Sequence, residues 1–160
     1  MSKAKESKTN AMRILERNHI AYQTYTYEAD TFVDGMETAR HLGLDPNRMY
    51  KTLVTVGSSK NHFVFVIPVN RELDLKKAAR SVGEKALSMV PVKDLFALTG
   101  YVRGGCTSIG MKKQFVTRID EGVQQLDTVI VSGGKLGMQI ELKPEELKLA
   151  ARAEYADILA

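Results

Sequence analysis

One lysine stands inside an otherwise apolar run, Met49-Tyr50-Lys51-Thr52-Leu53-Val54. An ammonium group is costly to bury unless it is paired or put to use. Lys51 therefore either works on a ligand, or lays its stem along a sheet while its charge reaches water. Two glycine-rich loops follow, Gly104-Gly105-Cys106-Thr107-Ser108-Ile109-Gly110 and Ser132-Gly133-Gly134-Lys135-Leu136-Gly137. Glycine supports tight turns anywhere. It also lets bare backbone N–H groups approach a ligand's oxygens, where they stabilise developing negative charge. Both readings stay open at this point.

Other chemistries lack their residues. Cys106 is the sole cysteine; a reactive thiolate needs a base or a strong positive field, and none stands near it in the sequence. The run from Gly105 to Gly110 has the glycine spacing of a phosphate-binding P-loop, but Met111 occupies the position of the essential lysine. Ser132 and Lys135 match S-x-x-K formally, yet the two intervening glycines argue against the helix that such a nucleophile occupies. His19, His41 and His62 show no ligand spacing. No metal site and no cofactor are expected.

The elements that must position Lys51 and the loops follow from periodicity. Residues 9–18 place Ala11, Met12, Ile14 and Leu15 at helical spacing, and a strand is expected over 21–27. Asp34 resembles an N-cap, with Met36, Ala39 and Leu42 on one face and Gly43 as the stop. A hairpin is expected over 50–69, turning at 57–61, and its second strand is apolar on both faces, hence central. Asp74 opens a helix carrying Leu75, Ala78, Ala79 and Val82. A short strand over 87–90 leads to a helix begun by Pro91 and ended by Gly100. Residues 101–103 run into the first glycine loop, strands are expected at 116–119, 128–132 and 138–142, and a last helix starts at Pro144. Helices and strands mix without regular β-α alternation, which makes the fold class α+β.

Length and composition bound the rest. At 160 residues, 44% hydrophobic and 26% charged, the chain reads as one domain over 1–160 with no repeat or linker. No apolar run approaches the ~20 residues of a membrane helix. The basic start, Met1 to Lys8, has no apolar segment after it and so is not a secretory signal. With the lone cysteine this points to the cytoplasm. The net charge of +4 favours an anionic partner only mildly, since small basic groups such as Lys112-Lys113 also occur on ordinary solvated surfaces.

These features together resemble the YbaK/prolyl-tRNA synthetase editing-domain family. Tyr50-Lys51-Thr52-Leu53 is similar to its YKTL segment, and 100–113 to its GYxxGGxSPxGxKK segment. Residues 131–142 are similar to its closing SGGKxGxxIEL, Leu73 to Lys77 to its LDLKK, and Tyr27-Glu28 to its TYE. The resemblance implies a mixed, barrel-like sheet flanked by helices, and hydrolysis of the ester joining a wrong amino acid to tRNA. It implies Lys51 as the principal functional residue, holding the 3′-terminal phosphate, ribose or ester region. Gly104, Gly105 and Gly110 would offer backbone donors to the ester carbonyl. Tyr27, Thr52 and Thr107 would line the pocket, with Ser132 and Gly134 on its far wall. In the YbaK branch the cysteinyl thiol attacks its own ester; in the alanyl-tRNA(Pro) branch a positioned water does so. The implied partners are mischarged tRNA(Pro) and prolyl-tRNA synthetase, with Lys112, Lys113 and Lys135 either touching phosphate or simply solvated. A non-catalytic binding module is the reading from another class, and the presence of Lys51 counts against it. Three departures stand out: Thr107-Ser108 replaces the family's Ser-Pro, Gln139 replaces a carboxylate, and the residues between Asp30 and Gly35 do not follow the pattern.

Overall fold

The computed structural model describes residues 8–29 and 33–160; the stretch 1–7 and the first part of the departure after Asp30 lie outside the described residues. The first helix, α1 (Asn10–Arg17), begins where Thr9 Oγ1 accepts the amide of Met12 at 3.2 Å, and it buries Ala11, Met12 and Leu15. Strand β1 is Gln23–Thr26. Helix α2 (Gly35–Leu42) is capped by Asp34, whose carboxylate accepts from Glu37 N at 2.9 Å, and it ends on left-handed Gly43. Both caps follow the expected chemistry: a short oxygen-bearing side chain satisfies an orphan N–H at the start of each helix.

The hairpin comprises β2 (Tyr50–Gly57) and β3 (His62–Pro68), paired antiparallel over its full length. Helix α3 (Leu75–Val82), capped by Asp74, strand β4 (Leu87–Met89) and helix α4 (Val92–Thr99) come next. The remainder is β5 (Val116–Asp120), β6 (Val129–Ser132), β7 (Met138–Leu142), α5 (Pro144–Ala151) and β8 (Glu154–Ala156). Residues 101–103 join no ladder, and β8, which pairs parallel with β5, adds a strand that periodicity does not reveal.

The described strands form two sheets, ordered β1-β7-β6 and β4-β2-β3-β5-β8. β3 is central, as its sequence demands. Its odd residues Phe63, Phe65 and Ile67 pack with Ala78 and Ala79 of α3, while Val66, on the other face, joins a core with α1, β6 and β7. A strand covered on both faces has no side left for polar residues. The α+β class holds, with one correction to the barrel-like sheet: among the described residues the two sheets share backbone pairing only at the parallel bridge Met49–Ile130. A seam one bridge long leaves the two sheets open rather than closed into a barrel.

Candidate functional site

The open seam makes the site. On one edge β2 is bonded throughout to β3; on the other, β4 covers only Thr55 to Gly57, and the last bond there is Val90 N to Val54 O at 3.0 Å. Between Val54 and the bridge at Met49, no strand among the described residues pairs with this second edge of β2. Backbone groups alternate direction along a strand, so the N–H and C=O of Thr52, two residues from Val54, face this gap. A cavity of about 530 Å³ opens against it, within the usual range for small-molecule sites.

Lys51, Thr52, Tyr27, Gly104 and Ser132 all line the cavity. Lys51 is half-buried beside Ile67 across the hairpin, and no ion pair to it is formed among the described residues. Tyr27 is set in place through its backbone, donating to Gly137 O at 2.9 Å. Gly137 is required there, because a Cβ would sit 2.4 Å from the Tyr27 carbonyl oxygen. Ser132 Oγ accepts from Gly134 N at 3.2 Å. The start of α2, through Asp34, Gly35 and Met36, completes one wall and turns the positive end of its helix dipole toward that side.

Cys106 also lines the cavity, but burial pushes its thiol up to about 12, a rise only partly offset by a hydrogen bond with Thr99. It is a neutral SH at physiological pH and a poor nucleophile.

Four residues expected at the site are not among those lining the cavity: Gly105, Thr107, Gly110 and Gly134. A Cβ on Gly105 would lie 2.8 Å from Lys135 Cα, so this glycine lets the two loops touch. Thr107 is wholly buried. The Gly110 carbonyl accepts from Asn10 Nδ2 at 2.8 Å, and Gly134, at φ 106°, rests against Thr9 and Tyr101. Tyr101 Oη donates to Ile109 O at 2.6 Å, and Thr9 Oγ1 to Gly133 O at 2.6 Å. These bonds fasten both loops to the start of α1, while Gly105 packing on Lys135 brings the loops together. Gly104 is the loop glycine that reaches the cavity.

Sequence reasoning missed Arg103, Leu95 and the α2 start as wall residues, and treated Gln139 only as a departure. Gln139 is buried on the wall, and its Nε2 donates to Tyr27 Oη at a long 3.4 Å. Its place next to the second glycine loop was the available signal. Lys112, Lys113 and Lys135 do not line the cavity, and Lys112 Nζ donates to Ala97 O at 3.2 Å. Among the described residues no group of three or more His, Cys, Asp or Glu side chains is placed to hold a metal ion. No helix there is long and apolar enough to cross a membrane.

The chain belongs to the aminoacyl-tRNA editing domain family, whose profile matches residues 32–149. It is 47% identical, over 99% of its own length and 98% of the relative's, to the Enterococcus faecalis protein that carries the name Cys-tRNA(Pro)/Cys-tRNA(Cys) deacylase EbsC. It is 25% identical over 99 residues to a proline–tRNA ligase of Thermosipho melanesiensis, of which it covers 17%. Among solved structures, one described as a trans-editing enzyme for prolyl-tRNA synthetase superposes with a TM-score of 0.81 at 26% identity, covering 97% of this chain and 99% of that one. A hypothetical protein at 21% identity, with a TM-score of 0.85 over 94% and 99% of the two chains, shares the fold.

Proposed function

We propose that this protein is a trans-editing deacylase that removes cysteine wrongly attached to tRNA(Pro), acting as one domain over residues 1–160 in the cytoplasm. The observation that carries the reading is Lys51: a half-buried cation without a carboxylate partner among the described residues, on the wall of the cavity. Such a charge gains most from an anionic or strongly polar ligand. The terminal adenosine of a tRNA, with its phosphate and ester-linked amino acid, supplies one. The relative named as a Cys-tRNA(Pro)/Cys-tRNA(Cys) deacylase supports cysteine as the amino acid, and the match to a proline–tRNA ligase supports prolyl-tRNA synthetase as a partner.

The need for such an enzyme is physical. A pocket built for proline rejects a small side chain by only about 1–3 kcal/mol, so a second site has to remove the error. Lys51 holds the phosphate and ribose end. The N–H groups of Gly104 and Thr52, both on the cavity wall, serve the ester carbonyl, where oxyanion charge develops. Tyr27, Gln139 and Ser132 shape the opposite wall. By resemblance to the YbaK branch the attacking atom is the substrate's own sulfur, a route that needs no protein nucleophile and so agrees with a protonated Cys106. A bond forms from sulfur to the carbonyl carbon, the bond from that carbon to the ribose oxygen breaks, and the thiol proton ends on the ribose oxygen. The products are a cyclic thiolactone and free tRNA.

The test is deacylation of Cys-tRNA(Pro) and Ala-tRNA(Pro), side by side, by wild type and Lys51→Ala. Cys-tRNA(Pro) is expected to be cleaved faster, and Lys51→Ala to lose about 100-fold or more in kcat/KM at an unchanged melting temperature. Faster cleavage of Ala-tRNA(Pro) would move the protein to the water-attack branch. No cleavage of either by wild type would sink the deacylase reading.

A further inference from the structure

Helix α4 carries a stripe with two different surroundings. Val92, Leu95 and Phe96 stand at i, i+3 and i+4 and so share one side of the helix. Leu95 lines the cavity. Its neighbours Val92 and Phe96 are 56% and 60% exposed, and the flanking segments add exposed Met89 and Val102. An apolar surface that continues out of a binding cavity is unusual enough to need an occupant.

The charge around it selects that occupant. On α4 and beside it stand Lys93, Arg103 and Lys112 against the acid Asp94. Arg103 lines the cavity and Lys112 lies at the far end of α4, its Nζ on Ala97 O. Exposed aromatic and aliphatic surface within a cationic frame is the composition that binds single-stranded nucleic acid, with bases stacking on rings and phosphates meeting lysines. A protein partner gains nothing from so one-sided a charge unless it is itself acidic.

Resting on the deacylase reading, we propose that α4 is the docking surface for the unpaired 3′ nucleotides of the tRNA, with Phe96 as a stacking platform for a base next to the terminal adenosine. The helix is about 12 Å long, enough to guide the last nucleotides along its side while the terminal one enters the cavity past Leu95. Phe96 acts by binding and touches no reacting atom.

The experiment measures binding of two uncharged RNA hairpins, one with a single-stranded 3′ tail ending in CCA and one blunt. Phe96→Ala is expected to weaken binding of the tailed hairpin about tenfold and to leave the blunt hairpin unaffected, while Phe96→Trp retains wild-type affinity. Exposure of Phe96 makes these variants mild for folding, and a melting curve for each verifies it. Lys93→Gln is expected to lower the slope of log affinity against log salt by about 0.7. Equal affinity of wild type and Phe96→Ala for the tailed hairpin, or an equal loss on both hairpins, would overturn the proposal. So would unchanged RNA binding together with loss of association with prolyl-tRNA synthetase, which would assign the patch to a protein. Because the RNA is uncharged, a wild type that fails to deacylate removes the functional reading without deciding this measurement.

Discussion

Lys51 and Cys106 share one cavity, and burial acts on them in opposite ways. Lys51 keeps part of its surface open, so its charge remains available to a ligand. Cys106 is buried and its thiol is raised to about 12, which removes the thiolate from the physiological range. Cys106→Ala is therefore expected to retain deacylation within about threefold. Alkylation of wild type by iodoacetamide at pH 7.5 is expected to run far slower than that of free cysteine; rapid labelling with loss of activity would make the thiol a participant. Lys51 was legible from sequence because a charge in an apolar strand breaks the pattern around it. Gln139 and Arg103 were not, since a polar residue in a strand or loop is ordinary, and only the fold decides that these two face a cavity. Asp34 was legible as a cap and illegible as a wall residue for the same reason.

At the scale of elements, the two glycine loops behave as one braced unit. The sequence announces turns at both, but a glycine that faces a ligand and one that faces another loop leave the same trace. Gly104 reaches the cavity, while Gly105 presses on the backbone of Lys135. Backbone on the far side cannot swing away as a side chain would, so Gly105→Ala is expected to destabilise the protein by about 1–3 kcal/mol. In a thermal melt that is a fall of about 2–12 °C, accompanied by reduced deacylation because Gly104 shifts with its neighbour. An unchanged melting temperature would show that the loops can part freely. Helices were the more readable elements, as with Asp34 and Gly43 bounding α2, because capping chemistry is local. Strand β8 escaped notice because its three residues are held by pairing with the distant β5.

The described strands form two sheets with a short common seam, and one polar cluster helps to hold them. Arg48, just before β2, bonds to Thr128 and Glu141, and Glu141 also accepts from Thr128 and from Tyr25 of β1. Burial raises the Glu141 carboxyl, but hydrogen bonds from Thr128 and Tyr25 and the charge of Arg48 outweigh it, leaving it below its ordinary value. A carboxylate lowered in this way stabilises the fold above its unfolded pKa, and that contribution is lost as pH falls through the folded one. Glu141→Gln is expected to cost about 1–3 kcal/mol at pH 7, with the gap between variant and wild-type melting temperatures closing in acid; a gap constant with pH would contradict it. The resemblance to a family supplied the expectation of a barrel, and periodicity had no means to correct it, because closure depends on how far two strands stay together rather than on what either contains. The same incomplete seam has a genetic consequence. The groups that Thr52 turns toward the gap belong to the main chain, so an alanine scan passes over them in silence. On the proposed reading, the donor at position 52 outlasts a change of its side chain, because the main chain carries it. Only a proline there, or a slip of the strand, would erase it.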